Sequence, residues 1–359
     1  MRRAAGRWPP HGGLPTPRDT CPVTGALVLT VDALAALARS GDLAETVGTA
    51  VGVPVVMVTG RAPTGGPDLA ALSATFESLP CVLVAEPGSD ATLLPYVDTQ
   101  PEDDDLDAVL ATAARVPLAA TAYALLLRGS SRRSVGEGLV AESATYSALQ
   151  AGPEFVAWRA ARPRRARGAA APAVRLERVD DVLTITLDRP AVHNAFEVAM
   201  RDALSEALRS ALAEPDLQVV LRGEGPSFCS GGDLDEFGTR PDPATAHVVR
   251  LTRSPARLAH DLADRLTVVV HGACMGSGLE LAAFARRVVA DPGSRFALPE
   301  LGLGLVPGAG GTVSLPRRIG RHRTALLALR GRPIDAATAL SWGLVDEIAA
   351  VAPVRASTV

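Results

Sequence analysis

Four short apolar runs constrain this chain more than anything else in it: VPVVMVTG (53–60), LPCVLVAE (79–86), LQVVLRG (217–223) and LTVVVHG (266–272). A strand with one wet face alternates apolar and polar residues. These runs scarcely alternate, so they predict strands covered on both faces. Helical segments lie between them, and the repeated order indicates an α/β fold. GALVLTV (25–31) predicts a further strand, with Asp32 capping a helix whose apolar side carries Leu34, Leu37 and Ala38. The acidic stretch 102–107 is expected to be a solvated helix start, where carboxylates complement the helix dipole. Helical patterning then runs to about residue 162, through LDAVLATAARVPLAATAYALLL, VGEGLVAESATYSALQAG and PEFVAWRAAR. Farther on, VLTITLDRP (182–190) alternates like a strand, 194–212 predicts an amphipathic helix, 244–262 is mostly helical, and RRVVAD predicts a strand.

The length of 359 residues suggests two domains. A loose tail is expected over 1–24, an α/β and helical region over 25–162, a linker over 163–173 and a second domain over 174–359. The linker lies within ARPRRARGAAAPA (161–173), which has no apolar period, so its arginines are expected to be solvated. With 47% hydrophobic and 21% charged residues the chain can bury a core. A net charge of −3 and 4% aromatic residues argue against a nucleic-acid partner. Every one of the 36 basic residues is Arg. Without Lys, pyridoxal-phosphate enzymes, P-loop NTPases and lysine aldolases are excluded. The Arg-rich start lacks the apolar centre of a secretory signal, and no apolar run is long enough to span a bilayer, so no membrane partner is expected. Cys21, Cys81, Cys229 and Cys274 form no CxxC pair. That suggests neither zinc nor a disulfide framework, and reduced thiols fit a cytoplasmic protein.

Three segments carry the chemistry: SFCSGGDLDEF (227–237), HGACMGSGLELAAFA (271–285) and FALPELGLGLVPGAGGT (296–312). The first has glycines that let backbone approach a ligand. In the second, a strand runs into small residues and then a helix, which places the N–H groups of Ser277 and Gly278 at a helix start, with Glu280 in the first turn. The third sets Glu300 after a proline and before a Gly-rich turn. Superficial alternatives fail: PGAGGT has no following Lys, GLGLVPG has Pro307 where GxGxxG needs its last Gly, and Ser277 is not in GxSxG.

Together with AVHNAF (191–196), SLPRRIG and ALSWGLVDEI, these segments resemble the crotonase superfamily, or enoyl-CoA hydratase/isomerase family, from about 174 to 348. The resemblance implies a crotonase-like ββα spiral core and an acyl-CoA substrate, with coenzyme A as part of the substrate and no separate cofactor or metal. It implies an oxyanion hole from the N–H groups of Gly232 and Ser277. Such donors stabilise a thioester enolate by roughly 3 kcal/mol each. Ser277 departs from the Gly common in hydratases, which bears on substrate size. Glu280 would activate water and Glu300 would move the α-proton. Apolar neighbours Leu279, Leu281, Leu301 and Leu303 would raise both pKa values, and the pair would titrate together. His193, Ala195, Gly231, Asp233, Leu234, Gly276 and Gly308 would contact substrate or CoA. No catalytic role is assigned to His193 or His271. Cys229 and Cys274 are expected to be core residues, and Asp233 and Asp235 to cap a helix. Retention of both glutamates favours hydration or dehydration. Isomerisation, thioester hydrolysis, ring opening and a non-catalytic CoA-binding subunit are the alternatives. The family also implies a homo-oligomer built on trimers, and the Arg- and Ala-rich composition suggests a bacterial source.

Family members carry further helices after the WGLVDEI segment, where this sequence is near its last residue. Residues 107–165 are similar to those terminal helices, with Glu154-Phe155 and the arginines from Arg159 to Arg165 at the expected end. Ahead of them, VVMVTGRAPTGGPDLAAL loosely echoes VVLRGEGPSFCSGGDLDEF. The expectation is a shortened, degenerate crotonase-like half-domain whose helices cover the active half. An unrelated α/β domain is the alternative.

Overall fold

The computed structural model describes residues 26–62, 65–164, 173–240 and 242–351. The expected tail with Cys21, and residues 165–172 of the expected linker, lie outside them.

The first buried-type runs form a parallel sheet in the order β1-β2-β3, from Leu27–Thr30, Val55–Thr59 and Val82–Ala85. Helix α1 (Val31–Ser40) and the short α2 (Leu43–Thr46) follow β1, and α3 (Gly66–Phe76) links β2 to β3. Side chains alternate across the sheet. Leu83 and Ala85 join the core beneath α1 and α3, whereas Val82 and Val84 join the larger core of the molecule. Both faces are therefore covered, as uninterrupted apolar runs demand. The cap of α1 is not Asp32. Thr30 accepts the Ala33 N–H at 3.1 Å, and Asp32 lies in the first turn.

Four helices follow: α4 (Asp103–Arg115), α5 (Pro117–Arg128), α6 (Val135–Gln150) and α7 (Pro153–Ala160). The chain bends by 110° between α4 and α5, at Val116-Pro117. A residue before proline disfavours the helical region, so the break falls where Pro117 requires it. Glu154 closes the start of α5, accepting the Leu118 and Ala119 N–H groups at 2.8 and 3.0 Å. The acidic start of α4 is not wholly solvated. Asp105 is buried and paired with Arg330 (3.3 Å) and Arg332 (2.8 Å).

The second half holds a six-stranded sheet in the order β12-β9-β7-β6-β5-β4. Its strands are β4 (Val174–Val179), β5 (Val182–Leu187), β6 (Gln218–Gly223), β7 (Leu266–Val270), β9 (Arg287–Ala290) and β12 (Glu347–Ile348), parallel except for the β4–β5 hairpin. Helix α8 (Val198–Leu212) crosses from β5 to β6, and α9 (Pro243–Thr252) with α10 (Pro255–Asp261) crosses from β6 to β7. A smaller sheet joins β8 (Ala273–Met275), β10 (Arg295–Ala297) and β11 (Ile334–Asp335). Helices α11 (Ser277–Ala282), α12 (Gly311–Ile319), α13 (Arg321–Leu329) and α14 (Ala336–Trp342) complete it. The predicted helix over 194–212 starts later than expected. Asn194 is buried in a left-handed turn (φ 53°), where its amide donates to the carbonyls of Glu224, Ser227 and Phe228. Asp233 and Asp235 are the N-cap of no helix among the described residues; Asp233 accepts the Asp235 N–H at 3.0 Å within a turn.

The segment β1-α1-β2-α3-β3 repeats the connectivity of β5-α8-β6-α9/α10-β7: three adjacent parallel strands joined in order by helices. The two segments diverge after the third strand. β7 leads to β8 and α11, whereas β3 leads to a 3-10 turn over Ala91–Tyr96 and then to α4. Helices α4–α7 share one hydrophobic core with the second half, where Tyr123, Leu127, Tyr146 and Phe155 join Leu301, Leu305, Val313 and Leu327. Tyr123 donates to the Thr324 carbonyl at 2.9 Å, and Arg321 to that of Val97 at 2.6 Å.

Candidate active site

Two strand ends meet at the site. Residues 229 and 274 form a parallel bridge, and the Met275 N–H donates to the Cys229 carbonyl at 2.9 Å. Phe196 binds the other edge, donating to the Gly231 carbonyl (2.8 Å) and accepting the Asp233 N–H (3.0 Å). The Gly231 and Gly278 N–H groups are directed at the Cys229 sulfur, and burial pushes that thiol up to about 12. The N–H groups of Gly232 and Ser277 donate to no protein acceptor among the described residues. Gly276 makes the approach possible. It has φ 47° and ψ −121°, and a Cβ there would lie 2.3 Å from Glu300 Oε1. Only glycine fits that backbone and that space.

Three carboxyls converge beside these N–H groups. Glu280, in the first turn of α11, accepts the Ala309 N–H at 2.7 Å and the Gly311 N–H at 2.8 Å, both at Oε2. Glu300, in a 3-10 turn after Pro299, is buried, and its Oε2 has no hydrogen-bond partner among the described residues. The third is Glu142 of α6, 2% exposed. It accepts the Gly310 N–H (2.7 Å), the Thr312 N–H (2.8 Å) and the Thr312 hydroxyl (2.7 Å). Residues 309–312 thus give their N–H groups alternately to Glu280 and Glu142.

Burial pushes Glu300 up to about 8, with the Glu142 charge adding to the effect. It pushes Glu142 up to about 7, opposed by the Thr312 and Gly310 donors. Glu280 is held well above the usual carboxylate range by burial first and then by the charges of Glu300 and Glu142, while the Ala309 and Gly311 N–H groups pull it back. Three carboxyls in one desolvated place do not all ionise near neutrality.

A cavity of about 470 Å³ opens beside them, lined by Gly232, Ser277, Glu280, Glu300 and Gly308 among the sequence-predicted residues. His193, Ala195, Gly231, Asp233, Leu234 and Gly276 are not on its wall. His193 Nδ1 is 3.0 Å from the Ser227 hydroxyl, Ala195 is buried, and the Leu234 carbonyl accepts from Arg159 at 2.7 Å. Cys229 and Cys274 are buried free thiols. Sequence reasoning missed the part of the wall formed by Glu142, Ser143 and Tyr146 of α6 with Arg250 of α9. The available signal was spacing: Leu139, Glu142, Ser143 and Tyr146 fall on one face of α6.

The enoyl-CoA hydratase/isomerase family model matches residues 177–359. The chain belongs to this family. It is 35% identical over 176 residues to a mevalonyl-coenzyme A hydratase from Beauveria bassiana, covering 46% of this chain and 63% of that protein. With the 2,3-dehydroadipyl-CoA hydratase of Escherichia coli it shares 36% over 174 residues, covering 48% and 68%. The chain thus spans about two thirds of the length of these relatives. A crystal structure of an enoyl-CoA hydratase from Thermoplasma volcanium aligns with a TM-score of 0.45 at 33% identity, covering 50% of this chain and 72% of that one. The second half is the family's crotonase-like core, with the α/β and helical region preceding it.

Proposed function

We propose that this protein is a hydratase of 2-enoyl-CoA thioesters, working in either direction. The observation that carries the reading is the pairing of Glu280 and Glu300, in one cavity, with the two unclaimed N–H groups of Gly232 and Ser277. The thioester oxygen sits between those donors, which stabilise the charge that develops on it as water adds. Glu280, whose Oε2 is already held by two N–H groups, accepts a proton from water as the water oxygen bonds to C3. Glu300, whose unpartnered Oε2 favours the neutral acid, delivers a proton to C2. The double bond is consumed, and one proton passes from Glu300 to product as another arrives on Glu280. Its return through the carboxyl cluster or solvent resets the site.

The test is loss of the conjugated enoyl-thioester absorbance with a panel of 2-enoyl-CoAs. Glu280→Gln and Glu300→Gln should each lower kcat by about a hundredfold or more, with binding retained. Movement of the double bond in a 3-enoyl-CoA without hydration would replace this reading with isomerisation. Binding without turnover of any panel member would replace it with a CoA-binding subunit.

A further inference from the structure

Five arginines lie on the cavity wall, and four of them are neutralised or exposed. Arg201 and Arg253 share Asp202, at 2.7 and 2.6 Å. Arg257 holds Asp261 at 3.0 Å, and Arg240 lies on the exposed surface. Arg250 differs. It is partly buried, and no carboxylate lies within 4.0 Å of it among the described residues. Its partners are neutral: Nε donates to the Ser143 hydroxyl at 3.0 Å, and Nη2 to the Ser143 carbonyl at 3.2 Å and to the Ser147 hydroxyl. The guanidinium lies over the Tyr146 ring, 4.6 Å from its centre. Glu142 is close enough for its charge to act on Arg250, but its oxygens already receive the Gly310 and Thr312 donors.

Arg250 Nη1 meets no protein acceptor among the described residues. The serines and the tyrosine ring therefore fix the orientation of a guanidinium that has no carboxylate in contact among the described residues. A partly desolvated cation without a contacting anion is costly, and a ligand carboxylate would lower that cost. The cavity wall also includes Leu139, Phe196, Phe237, Leu251 and Leu281, which suit an aliphatic chain.

We propose that Arg250 is a specificity-determining residue that binds a carboxylate at the far end of the acyl group, so that the substrate is the mono-CoA thioester of an unsaturated dicarboxylic acid. This deepens the hydratase reading and rests on it for the reaction.

The test pairs two 2-enoyl-CoAs of equal chain length, one ending in a methyl group and one in a carboxylate, across several lengths. Wild type should favour the carboxylate-ended member by about tenfold or more in kcat/KM at the best length. Arg250→Gln should remove that preference, mainly through a rise in KM for the carboxylate-ended member, whose loss in kcat/KM should exceed that of the methyl-ended member by about tenfold. Arg250→Lys should recover part of it. A wild-type preference for the methyl-ended series, or an equal loss on both by Arg250→Gln, would overturn the proposal and leave Arg250 as a tether between α6 and α9. If wild type turns over neither series, the hydratase reading fails. Calorimetric binding of the matching saturated acyl-CoAs then decides the Arg250 question separately. Tighter binding of the carboxylate-ended member to wild type but not to Arg250→Gln supports the proposal, and equal binding overturns it.

Discussion

Glu142 and Glu280 are held by alternate residues of one four-residue turn. Glu142 takes the Gly310 and Thr312 N–H groups, and Glu280 those of Ala309 and Gly311. Glu142 is therefore a positioning residue acting through this turn, and its charge also raises the Glu280 pKa. Glu142→Gln should lower kcat by about tenfold and shift the acidic limb of the rate profile to lower pH. An unshifted limb would reduce its role to packing. Glu300 gives a second prediction. Burial raises its folded pKa to about 8 from 4.5, so the folded chain keeps a proton that the unfolded chain releases across that interval. Stability should therefore fall as pH rises from about 4.5 to about 8, at up to about 1.4 kcal/mol per pH unit. Unfolding titrations of Glu300→Gln should show a flatter dependence and a gain over wild type that is larger at pH 8 than at pH 5. Both catalytic candidates were legible because each sits inside a local motif. Glu142 was not, because its partner Gly310 is 168 residues away and only packing joins them.

At the scale of elements, the site depends on how a strand is allowed to end. β8 must pass within contact of the Gly231 segment and then turn into α11, and Gly276 makes that turn with φ 47°. Gly276→Ala would force Glu300 away from its place, since the new Cβ would meet Oε1 at 2.3 Å. The variant should stay folded, with kcat lowered by about a hundredfold or more and Tm lowered by several degrees. Near-normal turnover would show that Glu300 has room to move. The small residues before α11 were readable as a tight turn, but the contact with Glu300 was not, because it depends on β8 and β10 pairing side by side. The same limit explains Asn194. In sequence it belongs to an amphipathic stretch, whereas in the fold its amide ties together three carbonyls from the Glu224–Phe228 loop.

For the molecule as a whole, the first half completes the second. α6 supplies Glu142, Ser143 and Tyr146 to the cavity wall, while α5 and α6 bury their apolar residues in the core shared with α12 and α13. Within the first half, Arg128 ties the helices to the β1-β2-β3 sheet. All of its N–H groups are taken by Asp98 and by the carbonyls of Phe76, Leu79 and Cys81, which fixes α5 beside β3. A fragment beginning near residue 172 would expose the Leu301, Leu305 and Val313 surface and lose the seven cavity residues that α6 supplies. It should be insoluble, or soluble with at least about a hundredfold less activity, and adding back residues 26–164 should restore part of it. A soluble, fully active fragment would show that the helices are not needed.

The sequence by itself determined the α/β class, the positions of most strands and helices, and the two glutamates with their backbone donors. Each of these is written in neighbouring residues: an apolar run, a cap, a turn of small residues, a glutamate one turn into a helix. Only the tertiary structure decided that a helix from the first half closes the cavity, that Glu142 holds the turn that holds Glu280, and that Arg250 faces the cavity with no carboxylate in contact among the described residues. These depend on which surfaces a shared hydrophobic core brings together. Burial of that core outweighs local preference and sets residues far apart in the chain side by side.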